Sequence, residues 1–105
     1  PSGTALMLGQ ALANGKSKTL KKIQGKVFLN KKGRSIPNKL NFYIVRKGKI
    51  PGTHSVVFEN KQEKLKIEHT AHSRNLFAEG TINAVKWLAN KKPGLYSMHH
   101  VLGIK

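Results

Sequence analysis

The stretch THSVVFENKQEKLKIEHTAHS, residues 53–73, decides the fold class of this chain. In its second half Leu65 and Ile67 alternate with charged residues, a period of two that is typical of a β-strand with one buried face. The short segment NKQ between the two halves suits a hairpin turn. We therefore expect two antiparallel strands, over residues 53–60 and 63–73.

A third strand candidate lies directly upstream. LNFYIVRKG, residues 40–48, places Leu40, Phe42 and Ile44 on one face, and KGKIPG connects it to the next strand with the composition of a hairpin turn. The pattern predicts an antiparallel meander within a small antiparallel or mixed sheet. Because such a sheet has two open edges, we expect a further strand or a sheet-to-sheet oligomer to cover them.

One helix is predicted before this sheet in the sequence and another after it. The first covers residues 3–13, where Ala5, Leu8 and Leu12 recur at the spacing of one buried helix face, and Asn14 and Gly15 end it. The second covers residues 75–90 and has an apolar stripe broad enough for burial on more than one side. The lysine-rich segment 16–39 is interpreted as a long irregular connection, in which Leu20, Ile23, Val27 and Leu29 either contact the core or form short elements. The predicted fold class is thus α+β, with one helix before a small sheet and a long helix after it.

The charge balance suggests that the chain could bind a polyanion. The chain has 105 residues, room for one domain with a modest core, and Lys+Arg 20 against Asp+Glu 4 give a formal net charge of +16. A small basic nucleic-acid-binding protein is therefore an alternative. Only three of the basic residues are arginines, which base recognition favours, and the lysines are scattered over every segment. We expect the charge mainly to solvate the surface, while an anionic ligand stays an open alternative.

Several other classes are excluded or disfavoured by what the chain lacks. No two glycines are separated by one residue, so G-x-G-x-x-G is absent. A Walker A loop is also absent, because G-K-[ST] occurs only as Gly15, Lys16 and Ser17 without the upstream glycine. The chain has no cysteine, and no carboxylate is spaced to share a metal ion with the histidines, so the histidines predict no metal site. Ser2 lies in no G-x-S-x-G turn and the chain has no aspartate, which disfavours a hydrolase triad. With no apolar run of membrane-spanning length and no signal peptide, we expect a soluble cytoplasmic protein.

The start of the chain, PSGTALMLG, has two interpretations. Ser2, Gly3 and Thr4 lead directly into the first helix, so Ser2 or Thr4 can cap it. The same turn can bind an anion, because the first N–H groups of a helix have no intrahelical partner and carry a partial positive charge. A carboxylate or a phosphate would fit such a turn.

Four ordered segments resemble the C-terminal part of dihydrodipicolinate reductase, also called 4-hydroxy-tetrahydrodipicolinate reductase. PSGTALMLG is similar to the second half of a signature in which His-His-x-x-Lys leads into Asp-Ala-Pro-Ser-Gly-Thr-Ala. VRKGKIPGTHSVVF resembles R-x-G-x-x-x-G-x-H-x-V-x-F, and HTAHSRNLFAEG resembles H-x-A-x-S-R-x-x-F-A-x-G. PGLYSMHHVLG is close to the terminal P-G-L-Y-x-M-x-x-V-L-G. Together they span the chain apart from residues 16–39.

The resemblance implies part of a two-domain oxidoreductase that reduces a cyclic dicarboxylate with NADH or NADPH, on the diaminopimelate route to lysine. Residues 1–105 would be its C-terminal domain, which binds the substrate and builds a homotetramer through its sheet. The N-terminal Rossmann domain would be absent from this chain. The general acid histidine and a substrate-binding lysine would lie upstream of Pro1, so we expect this chain alone to carry no catalytic residue and to be inactive.

The resemblance also implies roles for individual residues. Gly3 and Thr4 would bind a substrate carboxylate, and Ser2 would support their turn. Arg74 and Phe77 would contribute to a hinge or a cofactor contact. The resemblance also bears on two further parts of the chain, one histidine and the terminal segment.

The first of these is His54, which would be structural in the sheet. The second is the terminal segment, where an acidic residue is common in the family and this chain has Ser97, His99 and His100. That departure puts in doubt any contact of this segment that needs a carboxylate.

Overall fold

The computed structural model describes residues 1–30, 33–46, 48 and 52–104. The elements, in chain order, are α1 (Gly3–Gly15), α2 (Leu20–Ile23), β1 (Gln24–Leu29), β2 (Leu40–Ile44), β3 (Gly52–Glu59), β4 (Lys64–Ala71), α3 (Asn75–Leu88) and α4 (Met98–Leu102). They divide into two compact units, Pro1–Thr70 and Ala71–Lys105. The predicted α+β class is confirmed, although the division into two units was not predicted. No helix among the described residues is both long and apolar enough to cross a membrane.

The strands form two separate two-stranded sheets. β3 and β4 pair as the predicted hairpin, with Asn60 N–H donating to the Glu63 carbonyl at the turn and Thr53 Oγ1 3.1 Å from Thr70 Oγ1 at the open end. The predicted meander is wrong at its other connection, because β2 pairs in parallel with β1. The predicted KGKIPG turn falls largely on residues 47 and 49–51, which lie outside the described residues.

The segment predicted as irregular contains two of these elements. Thr19 caps α2 by accepting a hydrogen bond from Lys22 N–H at 3.4 Å, and Ile23 at the end of that helix is buried. β1 follows at once, and the ring of Phe28 stacks on Tyr43 of β2 with centroids 4.9 Å apart. The segment is rich in lysine and is interrupted by Gly25, Gly33 and Pro37, and its apolar run 27–29 does not alternate with polar residues, so periodicity alone does not indicate this strand.

A small core holds the first unit together. It consists of Ala13, Ile23, Phe28 and Phe42. On α1 the buried positions are Gly9 and Ala13, whereas the side chain of Leu8, expected on the buried face, is 37% exposed. Small residues are buried because α1 approaches β2 closely.

The connection between β1 and β2 is organised by the side chain of Asn41. Its Oδ1 accepts hydrogen bonds from Lys26 N–H at 2.9 Å and Ile36 N–H at 3.1 Å. Its Nδ2 donates to the carbonyls of Ile36 and Lys39, both at 3.1 Å. One amide therefore uses its full hydrogen-bonding capacity to join β2, β1 and the end of the connection.

The second unit contains α3, α4 and a cluster of rings. Trp87 and Tyr96 meet edge to face at 5.2 Å, Tyr96 and His100 at 5.7 Å, and Lys91 Nζ lies 4.5 Å above the Trp87 ring. The burial predicted for the broad apolar stripe of α3 is wrong for this chain. No residue of α3 is buried, and Val85 is 63% exposed, because no other element of the described chain covers that face.

Candidate functional site

The start of α1 presents unpaired backbone donors. Ser2 is the N-cap residue in an extended conformation, and its Oγ accepts a hydrogen bond from Ala5 N–H at 3.1 Å. Helix geometry leaves the N–H groups of Gly3 and Thr4 without intrahelical partners. The first turn contains no acidic residue, so no side chain in it offsets the partial positive charge of the helix end.

The space in front of these donors is open. A Cβ added to Gly3 would meet no atom of the described chain within 4 Å, and both Gly3 and Thr4 are exposed. A ligand oxygen can therefore approach the backbone along the face that a side chain at Gly3 would occupy. Ser2, beside them, is only partly exposed.

β3 brings a histidine to this helix end. His54 Nε2 lies 3.4 Å from Ser2 Oγ, and the imidazole is partly buried. The ring lies beside Gly52, which has φ +147°, and a Cβ added there would be 3.3 Å from His54 Cε1. Glycine at position 52 is favoured by its positive φ, and a side chain there would be in tight contact with the His54 ring.

The residues singled out from the sequence fall into two groups. Ser2, Gly3 and Thr4 come together at the start of α1 in the first unit, while Arg74 and Phe77 belong to the second unit. Arg74 is the N-cap residue of α3 without a side-chain capping bond, and Phe77 N–H donates to its carbonyl at 3.0 Å. Both side chains are exposed.

Sequence reasoning missed the position of His54 beside the start of α1. The available signal was the spacing of glycine and histidine in the segment that contains Gly48, Gly52 and His54. It did not show which element the histidine would contact, because Ser2 is 52 residues away in the chain.

The arrangement at the start of α1 is suited to bind an anion. It offers two backbone N–H donors, the hydroxyls of Ser2 and Thr4 and the partial positive end of a helix, in a chain with a net charge of +16. In the part of the chain that the structure describes, no group of three metal-ligating side chains occurs. The groups at this helix end are of the kind that can accommodate a carboxylate or a phosphate.

Comparison with known proteins identifies the family. The family model described as "Dihydrodipicolinate reductase, C-terminus" matches residues 1–102. The chain belongs to this family. The donor-rich start of α1 thus lies at the beginning of the region that matches this family model.

Several relatives carry the same enzyme name, 4-hydroxy-tetrahydrodipicolinate reductase. The chain is 50% identical to the one from Pelagibacter ubique and 45% identical to the one from Caulobacter vibrioides, in both cases over 100% of this chain and 41% of the relative. It is 39% identical to the one from Magnetococcus marinus, over 100% of this chain and 39% of the relative. The chain therefore spans about two fifths of the length of these relatives. These matches offer no support for the nucleic-acid-binding alternative.

The segments that resemble dihydrodipicolinate reductase occupy defined places in the structure. PSGTALMLG forms the first part of α1, and GTHSVVF forms most of β3. HTAHSRNLFAEG runs from the end of β4 into α3, and PGLYSMHHVLG contains α4. Two of the four segments, the first and the second, therefore meet in the contact between Ser2 and His54.

Proposed function

We propose that this chain supplies the substrate-binding part of a 4-hydroxy-tetrahydrodipicolinate reductase, an oxidoreductase of lysine biosynthesis that reduces a cyclic dicarboxylate with NADH or NADPH. The observation that carries the proposal is the open, donor-rich start of α1 in a chain that matches the family over residues 1–102. The enzyme name that its relatives share supports the reaction.

One substrate carboxylate would accept hydrogen bonds from the N–H groups of Gly3 and Thr4. The Thr4 hydroxyl supplies a further donor next to them. Hydrogen bonds to a charged group contribute about 1.5–3 kcal/mol each, and the end of the helix dipole adds to that attraction. The chain would thus bind and orient the substrate for hydride transfer.

The nicotinamide cofactor supplies the hydride in such a reaction. A dinucleotide site of the Rossmann type needs a glycine-rich turn between a parallel strand and a helix. Among the described residues, the parallel strand β1 leads into the connection to β2 and not into a helix. These residues do not fit the dinucleotide by themselves, so no step through the cofactor is assigned to them.

Arg74 and Phe77 are proposed to contribute to a hinge or to a contact with the cofactor. Support comes from the division of the chain after Thr70, since both residues lie at the start of the second unit. Their exposed side chains are free to contact another part of a longer protein or a ligand.

A cytoplasmic homotetramer formed through the sheet is part of the same proposal. The hairpin of β3 and β4 carries four apolar side chains that are between 44% and 61% exposed: Val57, Phe58, Leu65 and Ile67. Contact with other copies of the hairpin would remove this apolar surface from water.

A chimeric enzyme tests the proposal. The matching segment of the Pelagibacter ubique relative is replaced by this chain, and oxidation of NADH and NADPH is followed with the cyclic dicarboxylate substrate. We expect reductase activity, inhibition by pyridine-2,6-dicarboxylate and, for Thr4→Ala, a KM for the dicarboxylate raised by about tenfold.

The matched control is Gln10→Ala, an exposed position on the same helix, which should leave the KM unchanged. A chimera that folds but shows no reductase activity would contradict the proposed reaction. A Thr4→Ala chimera with an unchanged KM would contradict the proposed carboxylate site.

A further inference from the structure

The hydroxyl of Ser2 has two neighbours that come from different parts of the chain. Ala5 N–H, in the same helix turn, donates to Oγ at 3.1 Å. His54 Nε2, from β3, lies 3.4 Å from the same oxygen. The cap of α1 is therefore held from the strand as well as from the helix.

The direction of the second hydrogen bond decides what Ser2 can do. A serine hydroxyl has one donor and two acceptor positions, and the Ala5 N–H occupies one acceptor. If His54 accepts at Nε2, the hydroxyl hydrogen points to the imidazole and away from a ligand. If His54 donates from Nε2, both acceptor positions are filled and the hydroxyl hydrogen is free for an anion.

We infer that His54 is a positioning residue of the carboxylate site, which donates from Nε2 to Ser2 Oγ and so directs the Ser2 hydroxyl hydrogen to the bound carboxylate. This inference rests on the proposed function. It makes the Ser2 hydroxyl a third donor beside the N–H groups of Gly3 and Thr4. It also gives the histidine a role beyond the packing of β3.

The geometry favours this role over a purely structural one. His54 is only partly buried, so its ring is not needed to fill a core. Its position depends on Gly52, whose hydrogen atom leaves the space that the ring uses. The polar edge of the ring is thereby directed to Ser2, next to the open face of Gly3.

Binding of pyridine-2,6-dicarboxylate to the 105-residue chain, measured by calorimetry, tests the inference. We expect His54→Phe, which keeps a ring without hydrogen-bonding nitrogens, to weaken binding about tenfold, and His54→Gln, whose amide can donate to Ser2, to restore most of the affinity. His69→Phe, an exposed histidine on β4, is the matched control and should leave the affinity unchanged.

A double-mutant cycle shows whether His54 acts through Ser2. Residues that act through one contact are not additive, so His54→Phe should cause no further loss in a Ser2→Ala background. Additive losses would overturn the inference. In addition, ¹⁵N shifts of the His54 ring should report the Nε2–H tautomer when the dicarboxylate is bound, and a ring that carries its proton on Nδ1 would also overturn it.

The outcomes separate this inference from the proposed function. If Thr4→Ala weakens dicarboxylate binding while His54→Phe does not, the carboxylate site stands and the role of His54 is rejected. If neither Thr4→Ala nor His54→Phe changes the affinity, the carboxylate site itself is rejected and the positioning role is rejected with it.

Discussion

Gly9 of α1 lies against the ring of Phe42 of β2, and a Cβ added to this glycine would be 2.9 Å from Phe42 Cζ. Leu40 and Leu20 close the same space, at 3.1 Å and 3.3 Å from that Cβ position. The contact sets how closely α1, whose start is the proposed carboxylate site, approaches β2. It therefore links the packing of the first unit to the position of Ser2, Gly3 and Thr4.

Gly9→Ala should destabilise the first unit. The added methyl group has to displace the buried Phe42 ring, and overpacking of this kind costs about 1–3 kcal/mol. Hydrogen exchange of the β1 and β2 amides would show the loss as reduced protection. Gly15→Ala, at the open end of the same helix, is the control and should not reduce protection.

Gly3→Ala should weaken dicarboxylate binding without destabilising the fold. A methyl group at Gly3 meets no neighbour, yet it would occupy the space through which a carboxylate reaches the backbone donors. We expect calorimetry with pyridine-2,6-dicarboxylate to show binding weakened by about tenfold or more. The control is Gly15→Ala, which makes the same substitution at the other end of the same helix. Equal affinities of the two variants would refute a role for the space at Gly3.

Asn41→Ala should loosen the connection between β1 and β2. The variant loses the four side-chain hydrogen bonds to Lys26, Ile36 and Lys39. A well-shielded hydrogen bond contributes about 0.5–1.5 kcal/mol net. Because this site is partly exposed, we expect the free energy of unfolding to fall by only about 1–3 kcal/mol in total. Urea unfolding followed by circular dichroism would measure the change. Asn83→Ala, on the exposed surface of α3, removes the same amide and should cost little; equal costs at both sites would contradict the role of Asn41.

His100 should stabilise α4 through its imidazole nitrogen. Its Nδ1 accepts a hydrogen bond from Ser97 N–H at 2.9 Å, at the position where a glutamate completes a capping box. His100→Ala should therefore destabilise α4 by about 0.5–2 kcal/mol, and His100→Glu should restore the cap. Both variants lose the ring contact with Tyr96, so the comparison isolates the hydrogen bond.

The fluorescence of Trp87 is a suitable probe of this change, since its ring centroid lies 6.5 Å from that of His100. An Ala variant as stable as the parent chain would show that the capping bond contributes nothing.

Local features of the chain were predictable because their causes are local. Apolar spacing and the SGT turn predicted the start of α1, and strand alternation with a short polar turn predicted the hairpin of β3 and β4. The motifs of four segments pointed to the family that the comparison found over residues 1–102. Each of these signals lies within about twenty residues of sequence, which is the range over which periodicity and turn chemistry act.

Only the tertiary structure decided which of these elements meet. β2 pairs with β1 and not with β3, α1 buries Gly9 and Ala13 in place of Leu8, and His54 reaches Ser2. These contacts depend on side chains from distant segments that compete for the same space and hydrogen bonds. No pattern within either segment alone records that competition. The sequence by itself therefore determined α1, the hairpin of β3 and β4, α3 and the family, while packing determined the pairing of β1 with β2 and the contact between His54 and Ser2.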